Sequence, residues 1–106
     1  MTFYRDYQER QIRLPDERLA HVLRRHPYLL GMESTIQGTL EAPGEVRRSD
    51  TEAGSVILYY RRYADTIVGD KYMCVVVKLL GNDAFILTAY MTDVIKEGDV
   101  IWPTRR

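Results

Sequence analysis

The chain has 106 residues, of which 45% are hydrophobic and 28% are charged, and this composition predicts one globular domain over residues 1–106. Lys and Arg together number 15, Asp and Glu also number 15, and the formal net charge is zero. A neutral chain has no global field that attracts nucleic acid, which excludes a nonspecific coating protein but leaves room for a local basic patch.

The N-terminal half of the sequence predicts two helices. We expect residues 1–11 to be a flexible segment, followed by a short extended piece at Gln11–Leu14. Pro15 then opens a helix whose apolar stripe has the spacing i, i+3, i+4, i+7 and consists of Leu19, Val22, Leu23 and His26. Pro27 limits this helix, because the residue before a proline avoids the α region. Tyr28–Glu41 is a second helical candidate, although Gly31 and Gly38 weaken it.

The C-terminal half of the sequence changes to the patterns of strands. Runs rich in β-branched and aromatic residues predict strands at Val46–Ser49, Val56–Tyr63, Tyr72–Leu80 and Ala84–Met91. Gly81-Asn82-Asp83 predicts a tight hairpin between the last two strands. Residues 93–106 are expected to be a C-terminal tail. The fold class predicted from this order is α+β, with two N-terminal helices packed on one face of an antiparallel sheet of about four strands.

The only cysteine, Cys74, lies in the apolar run Tyr72–Leu80, where a small buried side chain is expected. A lone cysteine cannot form a disulfide within the chain, which favours a reducing compartment. Residues 1–14 are charged throughout, and no apolar run approaches the length of a bilayer span. We therefore expect a cytoplasmic location and no membrane partner.

The last predicted strand ends in two hydroxyl side chains. Alternation at period two places Ile86, Thr88 and Tyr90 on one face, and on the other Phe85, Leu87, Ala89 and Met91. The two hydroxyls are candidate donors to a phosphate, with Lys78 on the neighbouring strand as a cation. Thr and Tyr are also favoured strand residues, so a purely structural role is the alternative.

The first predicted helix carries both histidines of the chain. His21 lies between Arg18 and Arg25 at i−3 and i+4, and this cluster of one imidazole and two guanidiniums suits acid-base chemistry on a phosphate. A solvated helix face is the alternative interpretation for His21. His26 continues the apolar stripe, and a packed or capping imidazole is its alternative.

The sequence lacks the motifs of most enzyme classes, including a Gly-rich phosphate loop, a Gly-x-Ser-x-Gly elbow and Cys-x-x-Cys. Metal binding is weakly supported, because His21 and His26 are spaced i, i+5 and no carboxylate or cysteine cluster completes a site. We therefore expect neither a metal nor a cofactor. The chemistry that remains is metal-independent RNA cleavage, in which the 2′-OH attacks the adjacent phosphate.

Four segments carry a resemblance to a known superfamily, and they are Asp16–Pro27, Ile36–Pro43, Tyr72–Lys78 and Leu87–Tyr90. Together they resemble the phage and mobile-element nuclease domains of the barnase/EndoU/colicin/RelE-like superfamily, over roughly residues 12–102. The resemblance implies two N-terminal helices before a four-stranded antiparallel sheet. It also implies metal-independent ribonuclease activity, often in toxins or phage effectors.

The resemblance also implies roles for individual residues. His21 matches the histidine of an R-x-x-H pattern and is the expected general acid or base. Arg25 and Lys78 are the expected stabilisers of the phosphate and transition state. Thr88 and Tyr90 match a T-x-Y strand end and are the expected hydrogen-bond donors. The remaining candidates, expected to bind substrate, are Arg18, His26 and Arg61.

Two functions follow as hypotheses. The first is a small ribonuclease that acts on RNA, with an antitoxin or immunity-type protein as a possible partner. The second is a non-catalytic RNA- or protein-binding module on the same fold, which uses a surface formed by Tyr59, Tyr60 and Arg61. The ribonuclease requires the catalytic candidates to converge on one cleft.

Overall fold

A computed structural model describes residues 1–51, 54–95 and 98–103. The helices are α1 (Asp16–Arg25) and α2 (Glu33–Glu41), with a 3₁₀ turn at Pro27–Leu29 between them. The strands are β1 (Thr2–Arg5), β2 (Gln11–Leu14), β3 (Glu45–Thr51), β4 (Gly54–Thr66), β5 (Gly69–Leu80), β6 (Asp83–Thr92) and β7 (Asp99–Trp102). No helix among the described residues is long and apolar enough to cross a membrane.

The predicted architecture of two helices on an antiparallel sheet of about four strands was wrong. The sheet has seven strands in the order β1-β2-β6-β5-β4-β3-β7. It is mixed, because β2 runs parallel to β6 while the other pairs are antiparallel. Strand β2 coincides with the extended piece predicted at Gln11–Leu14, but its place in the sheet was not predicted. Strands β1 and β7 have only four residues each, too few for an alternation of polar and apolar residues to identify them from sequence.

The segments expected to be a flexible N-terminus and a C-terminal tail instead supply the two edge strands, β1 and β7. The ring of Tyr7, just after β1, lies 5.2 Å from that of Trp102 in β7, between ring centroids. The Tyr59 hydroxyl donates a 2.6 Å hydrogen bond to the carboxylate of Asp6, which is buried. The first contact joins the two edges of the sheet, so the sheet curls around its core, and the second joins the segment after β1 to β4.

Both helices pack against the face of the sheet that lies inside this curl. Val22 of α1 and Ile36 and Leu40 of α2 are buried there against strand residues that include Ile57, Tyr59, Val75, Val77, Ile86 and Ala89. A smaller apolar cluster on the opposite face consists of Leu58, Tyr60, Cys74 and Val76. Helix α1 begins after Pro15, as the sequence indicates, and has acidic residues in its first turn and arginines in its last, which complements the helix dipole.

The second predicted helix, Tyr28–Glu41, is interrupted. Its first residues form the 3₁₀ turn at Pro27–Leu29, and α2 begins only at Glu33. Gly31 separates the two with a φ of +80°, a left-handed conformation that an α-helix does not contain. The break leaves Tyr28 beside the end of α1, where it contributes to the site described below.

Candidate functional site

Helix α1 flanks the outer edge of β6. Strand β2 pairs with β6 only at Arg13 and Phe85, so the rest of this edge meets α1 rather than another described strand. The Met91 amide on β6 donates instead to the Tyr28 hydroxyl, over 3.0 Å. The C-terminal half of α1 and the C-terminal half of β6 thus form the two walls of a cleft.

A β-bulge interrupts β6 beside this cleft. Thr88 and Ile86 pair with consecutive residues of β5, which leaves Leu87 as an extra residue. A bulge breaks the alternation of faces, and Ile86 and Ala89 consequently point into the same core while Tyr90 packs on the opposite face. The predicted grouping of Ile86 with Thr88 and Tyr90 was wrong for this reason.

The cleft contains a cavity of about 460 Å³. Five candidate residues line it, and they are His21, Arg25, His26, Thr88 and Tyr90. The first three lie on α1 or directly after it, whereas the last two lie on β6, with α2 and strands β3 to β5 between them in sequence. The fold thus brings four of the five predicted catalytic residues into one cavity together with His26, whereas the ribonuclease hypothesis requires all five, and Lys78 is the exception.

His26, directly after α1, is held between two tyrosines. Its Nδ1 lies 3.4 Å from the hydroxyl of Tyr28, which also accepts the hydrogen bond from the Met91 amide. The centroid of the imidazole ring is 5.8 Å from that of Tyr28 and 5.9 Å from that of Tyr90. Tyr28 therefore connects the imidazole to the backbone of β6 and restrains its rotation.

The surroundings of His26 favour its neutral form. Burial lowers the pKa of His26 below 6.5, and the charges of Arg25 and His21 lower it further. A neutral imidazole near pH 7 is able to take up a proton as a general base. That role requires the tautomer in which Nδ1 carries the proton toward the Tyr28 oxygen and Nε2 is the acceptor.

Tyr60, Cys74 and Tyr90 form a row across β4, β5 and β6 on the face opposite the helices. Burial raises the pKa of the Cys74 thiol to about 11, against the smaller effect of hydrogen bonds with Tyr90 and Tyr60. The thiol is therefore protonated near neutral pH and is a poor nucleophile. Because the Tyr90 hydroxyl is engaged with Cys74, we assign the Tyr90 ring, rather than its hydroxyl, to the cavity wall.

The arginines of α1 differ from the other arginines of the described chain. The guanidinium groups of Arg18, Arg24 and Arg25 have no hydrogen bond or ion pair with described residues. The remaining described arginines all have protein partners, and they are Arg5, Arg10, Arg13, Arg47, Arg48, Arg61 and Arg62. Although the net charge of the chain is zero, the unpaired guanidinium groups of its described residues are thus concentrated on one helix.

Three candidate residues do not line the cavity. Lys78 lies on β5, but its Cε reaches across to Gly54 of β4, on the side away from β6. Arg61 lies on the helix-covered face, where it donates to the Gly38 carbonyl over 3.2 Å. Arg18 lines a separate depression that adjoins the cavity at His21. The structure therefore brings only part of the predicted set together.

The binding surface proposed for the alternative function is absent. Tyr59 and Tyr60 are buried, on the two opposite faces of β4. Arg61 is turned toward α2 and stacks on the ring of Tyr63, 5.2 Å from its centroid. These three side chains therefore share no exposed surface on which an RNA or a protein partner would bind.

Sequence reasoning missed two residues of this region, Tyr28 and Arg24. Nothing in the sequence indicates a role for Tyr28, because the contacts of its hydroxyl with the backbone of β6 and with His26 form only in the folded chain. Arg24 is adjacent to Arg25, and the doublet is visible in the sequence, but only the folded structure shows that neither guanidinium has a partner among the described residues.

No group of three His, Cys, Asp or Glu side chains in the described ranges is arranged to hold a metal ion. Comparisons with known protein families, with curated proteins and with solved structures found nothing that matches this chain.

Proposed function

We propose that the protein is a metal-independent endoribonuclease whose active site is the cavity between α1 and β6. The observation that carries this proposal is the presence of two imidazoles, His21 and His26, in one cavity with the unpaired guanidinium of Arg25. RNA cleavage by the 2′-OH requires one group that accepts a proton, one that donates a proton and a cation for the phosphate. The two histidines supply the proton acceptor and the proton donor, and Arg25 supplies the cation.

The proposed reaction breaks one phosphodiester bond. His26, held neutral, takes the proton from the 2′-OH while the 2′-oxygen attacks the adjacent phosphorus. His21 gives a proton to the departing 5′-oxygen. The products are a 2′,3′-cyclic phosphate and a 5′-hydroxyl, so no water or metal is consumed. Arg25 offsets the charge that builds on the phosphate oxygens.

The β6 wall of the cavity supplies the remaining contacts. The Thr88 hydroxyl is a donor to a phosphate oxygen, placed at the cavity by the bulge at Leu87. The ring of Tyr90 packs beside His26 and offers a surface on which a base stacks. Recognition by shape and stacking suits single-stranded RNA, whose unstacked bases are accessible.

The experiment that tests this proposal is cleavage of a single-stranded RNA of mixed sequence in EDTA. The wild type is compared with His21→Ala and His26→Ala, and with Arg48→Ala as a matched control that removes a charge three strands from β6. We expect each histidine variant to lose about 10²- to 10⁴-fold in kcat, the usual size of a general acid or base contribution. Equal cleavage by all four preparations would show that the activity lies elsewhere.

A non-catalytic RNA-binding module is a second candidate, favoured by the three unpaired arginines of α1. Binding by such a module depends on positive charge and does not require the histidines. RNA binding that survives both histidine substitutions, with no cleavage by any preparation, would select this candidate.

A free, buried thiol at Cys74 fits a reducing compartment, and we place the proposed ribonuclease in the cytoplasm. An inhibitor of the antitoxin or immunity type is the partner that such an activity would require. It would act by covering the cavity, where the unpaired Arg25 favours an acidic surface.

A further inference from the structure

A depression of about 260 Å³ continues from the cavity along α1. It is lined by Glu17, Arg18, His21 and Arg24, and His21 lines the cavity as well. The two spaces therefore meet at the imidazole to which we assign proton donation. An RNA strand that has one phosphate at His21 must extend out of the cavity at both of its ends. The depression lies next to one of these ends, because it meets the cavity at His21.

The arginines of α1 are spread too widely to serve one phosphate. Arg18 and Arg25 are seven residues apart, which is two helical turns and about 10 Å along the axis. Arg25 lines the cavity, whereas Arg18 and Arg24 line the depression, and all three guanidinium groups lack a described protein partner. Unpaired guanidinium groups at such separations suit successive phosphates of a chain.

We propose that this depression is a second phosphate subsite, formed by Arg18 and Arg24, so that the substrate is a single RNA strand longer than a dinucleotide. This inference rests on the proposed function, because the first phosphate is the one cleaved at His21. The subsite gives binding energy to the strand next to the scissile bond, and it holds that bond in register with the two histidines.

Glu17 is the one carboxylate of the depression, and it opposes the binding of an anion there. Its charge weakens the attraction of a phosphate to Arg18, since an exposed carboxylate interacts with charges within about a Debye length. Removal of this charge by Glu17→Gln should therefore strengthen binding of the longer strand, an effect that a merely structural role for Glu17 would not produce.

The test measures binding of 2′-O-methyl RNA oligomers of two, three and four nucleotides, which lack the 2′-OH and are not cleaved. The proteins are the wild type, Arg18→Ala, Arg24→Ala, Glu17→Gln and the control Arg48→Ala. We expect the wild type to bind the longer oligomers more tightly than the dimer. Arg18→Ala and Arg24→Ala should each lose about two- to fivefold in affinity for the trimer and the tetramer but not for the dimer, the range for an exposed ion pair.

Salt dependence gives a second readout of the same contact. For single strands, log K falls against log salt with a slope of about 0.7 for each phosphate contacted. Arg18→Ala should reduce the slope for the tetramer by about 0.7, whereas Arg48→Ala should leave it unchanged. The Glu17→Gln variant should bind the tetramer more tightly than the wild type and the dimer equally.

The outcomes separate the subsite from the proposed function. Affinity that is independent of length, or equal for Arg18→Ala and Arg48→Ala, overturns the subsite even if the wild type cleaves RNA. Length-dependent binding that requires Arg18, without cleavage of ordinary RNA, supports the subsite and overturns the ribonuclease. An absence of binding to every oligomer overturns the subsite, and cleavage of ordinary RNA then decides the ribonuclease separately.

Discussion

The imidazole of His26 packs against the ring of Tyr90 across the cavity, with the centroids 5.9 Å apart and the planes tilted by 36°. One residue follows the last turn of α1, and the other lies near the end of β6. This contact determines where the imidazole lies relative to the strand, so the geometry of the proposed site depends on an aromatic surface as well as on charge.

Tyr90 should act through its ring. Tyr90→Phe keeps the ring and removes a hydroxyl that is engaged with Cys74, so we expect kcat to change by less than about threefold. Tyr90→Ala removes the ring that positions His26, and we expect a loss of about 100-fold, the scale of a 1 Å misplacement. Steady-state cleavage of a short RNA measures kcat for both variants. A Phe variant as inactive as the Ala variant would assign the chemistry to the hydroxyl instead.

Tyr28 should act as a positioning residue for His26. Tyr28→Phe removes the hydroxyl that accepts from the Met91 amide and contacts Nδ1 of His26. We expect kcat to fall about tenfold with little change in KM, less than the 10² to 10⁴ expected for loss of an acid-base group. The free energy of unfolding should fall by about 1 kcal/mol, the usual worth of a hydrogen bond.

The matched control for Tyr28 is Tyr63→Phe, which removes a hydroxyl that donates to the Thr35 carbonyl over 3.1 Å on α2. It should cost similar stability and leave kcat unchanged. If the two variants lose activity in proportion to their stability, Tyr28 has no specific effect on the imidazole.

His26 should titrate below its ordinary range. Burial and the charge of Arg25 lower its pKa from 6.5, so its midpoint in an NMR titration should lie below pH 6.5. Arg25→Gln removes one cause and should raise the midpoint. Because the folded-state pKa is lowered, the contribution of His26 to stability is present above pH 6.5 and is lost as the pH falls through that pKa. A midpoint at or above 6.5 would remove the argument for His26 as the base.

Arg25 and Lys78 should differ sharply in their contributions. Arg25 lines the cavity without a partner among the described residues, whereas the Lys78 side chain extends toward Gly54 on the far side of β5. We expect Arg25→Ala to lower kcat/KM by about 10²-fold, the lower range for a group that stabilises transition-state charge. Lys78→Ala should change it by less than about twofold, as assayed on the same RNA. Equal losses would mean that the substrate contacts the sheet face as well.

The sequence predicted α1 well, because Pro15 and Pro27 bracket an amphipathic stripe and the helix is determined by local spacing. It also predicted the hairpin between β5 and β6, since a tight turn has a local composition. It did not reveal the parallel pairing of β2 with β6, which joins segments about 70 residues apart through a single pair, Arg13 and Phe85.

The candidate site was predictable in its residue types and only partly in its geometry. His21 and Arg25 follow from the helical repeat, but the bulge at Leu87, which changes the faces of β6, has no signature in the composition. Arg61 was expected to bind substrate, but its side chain lies on the same face of β4 as Ile57 and Tyr59, and the helices cover that face. Alternation along β4 gives two equivalent faces, and only tertiary packing decides which of them the helices cover.

The most direct test of the ribonuclease proposal is to identify the product ends from one RNA in EDTA, alongside the same RNA with a single 2′-deoxy nucleotide at the cleaved position. We predict a 2′,3′-cyclic phosphate and a 5′-hydroxyl from the all-ribose strand, and no cleavage at the deoxy position. Cleavage at the deoxy position, or a 5′-phosphate on the product, would contradict attack by the 2′-OH and the roles assigned to His21 and His26.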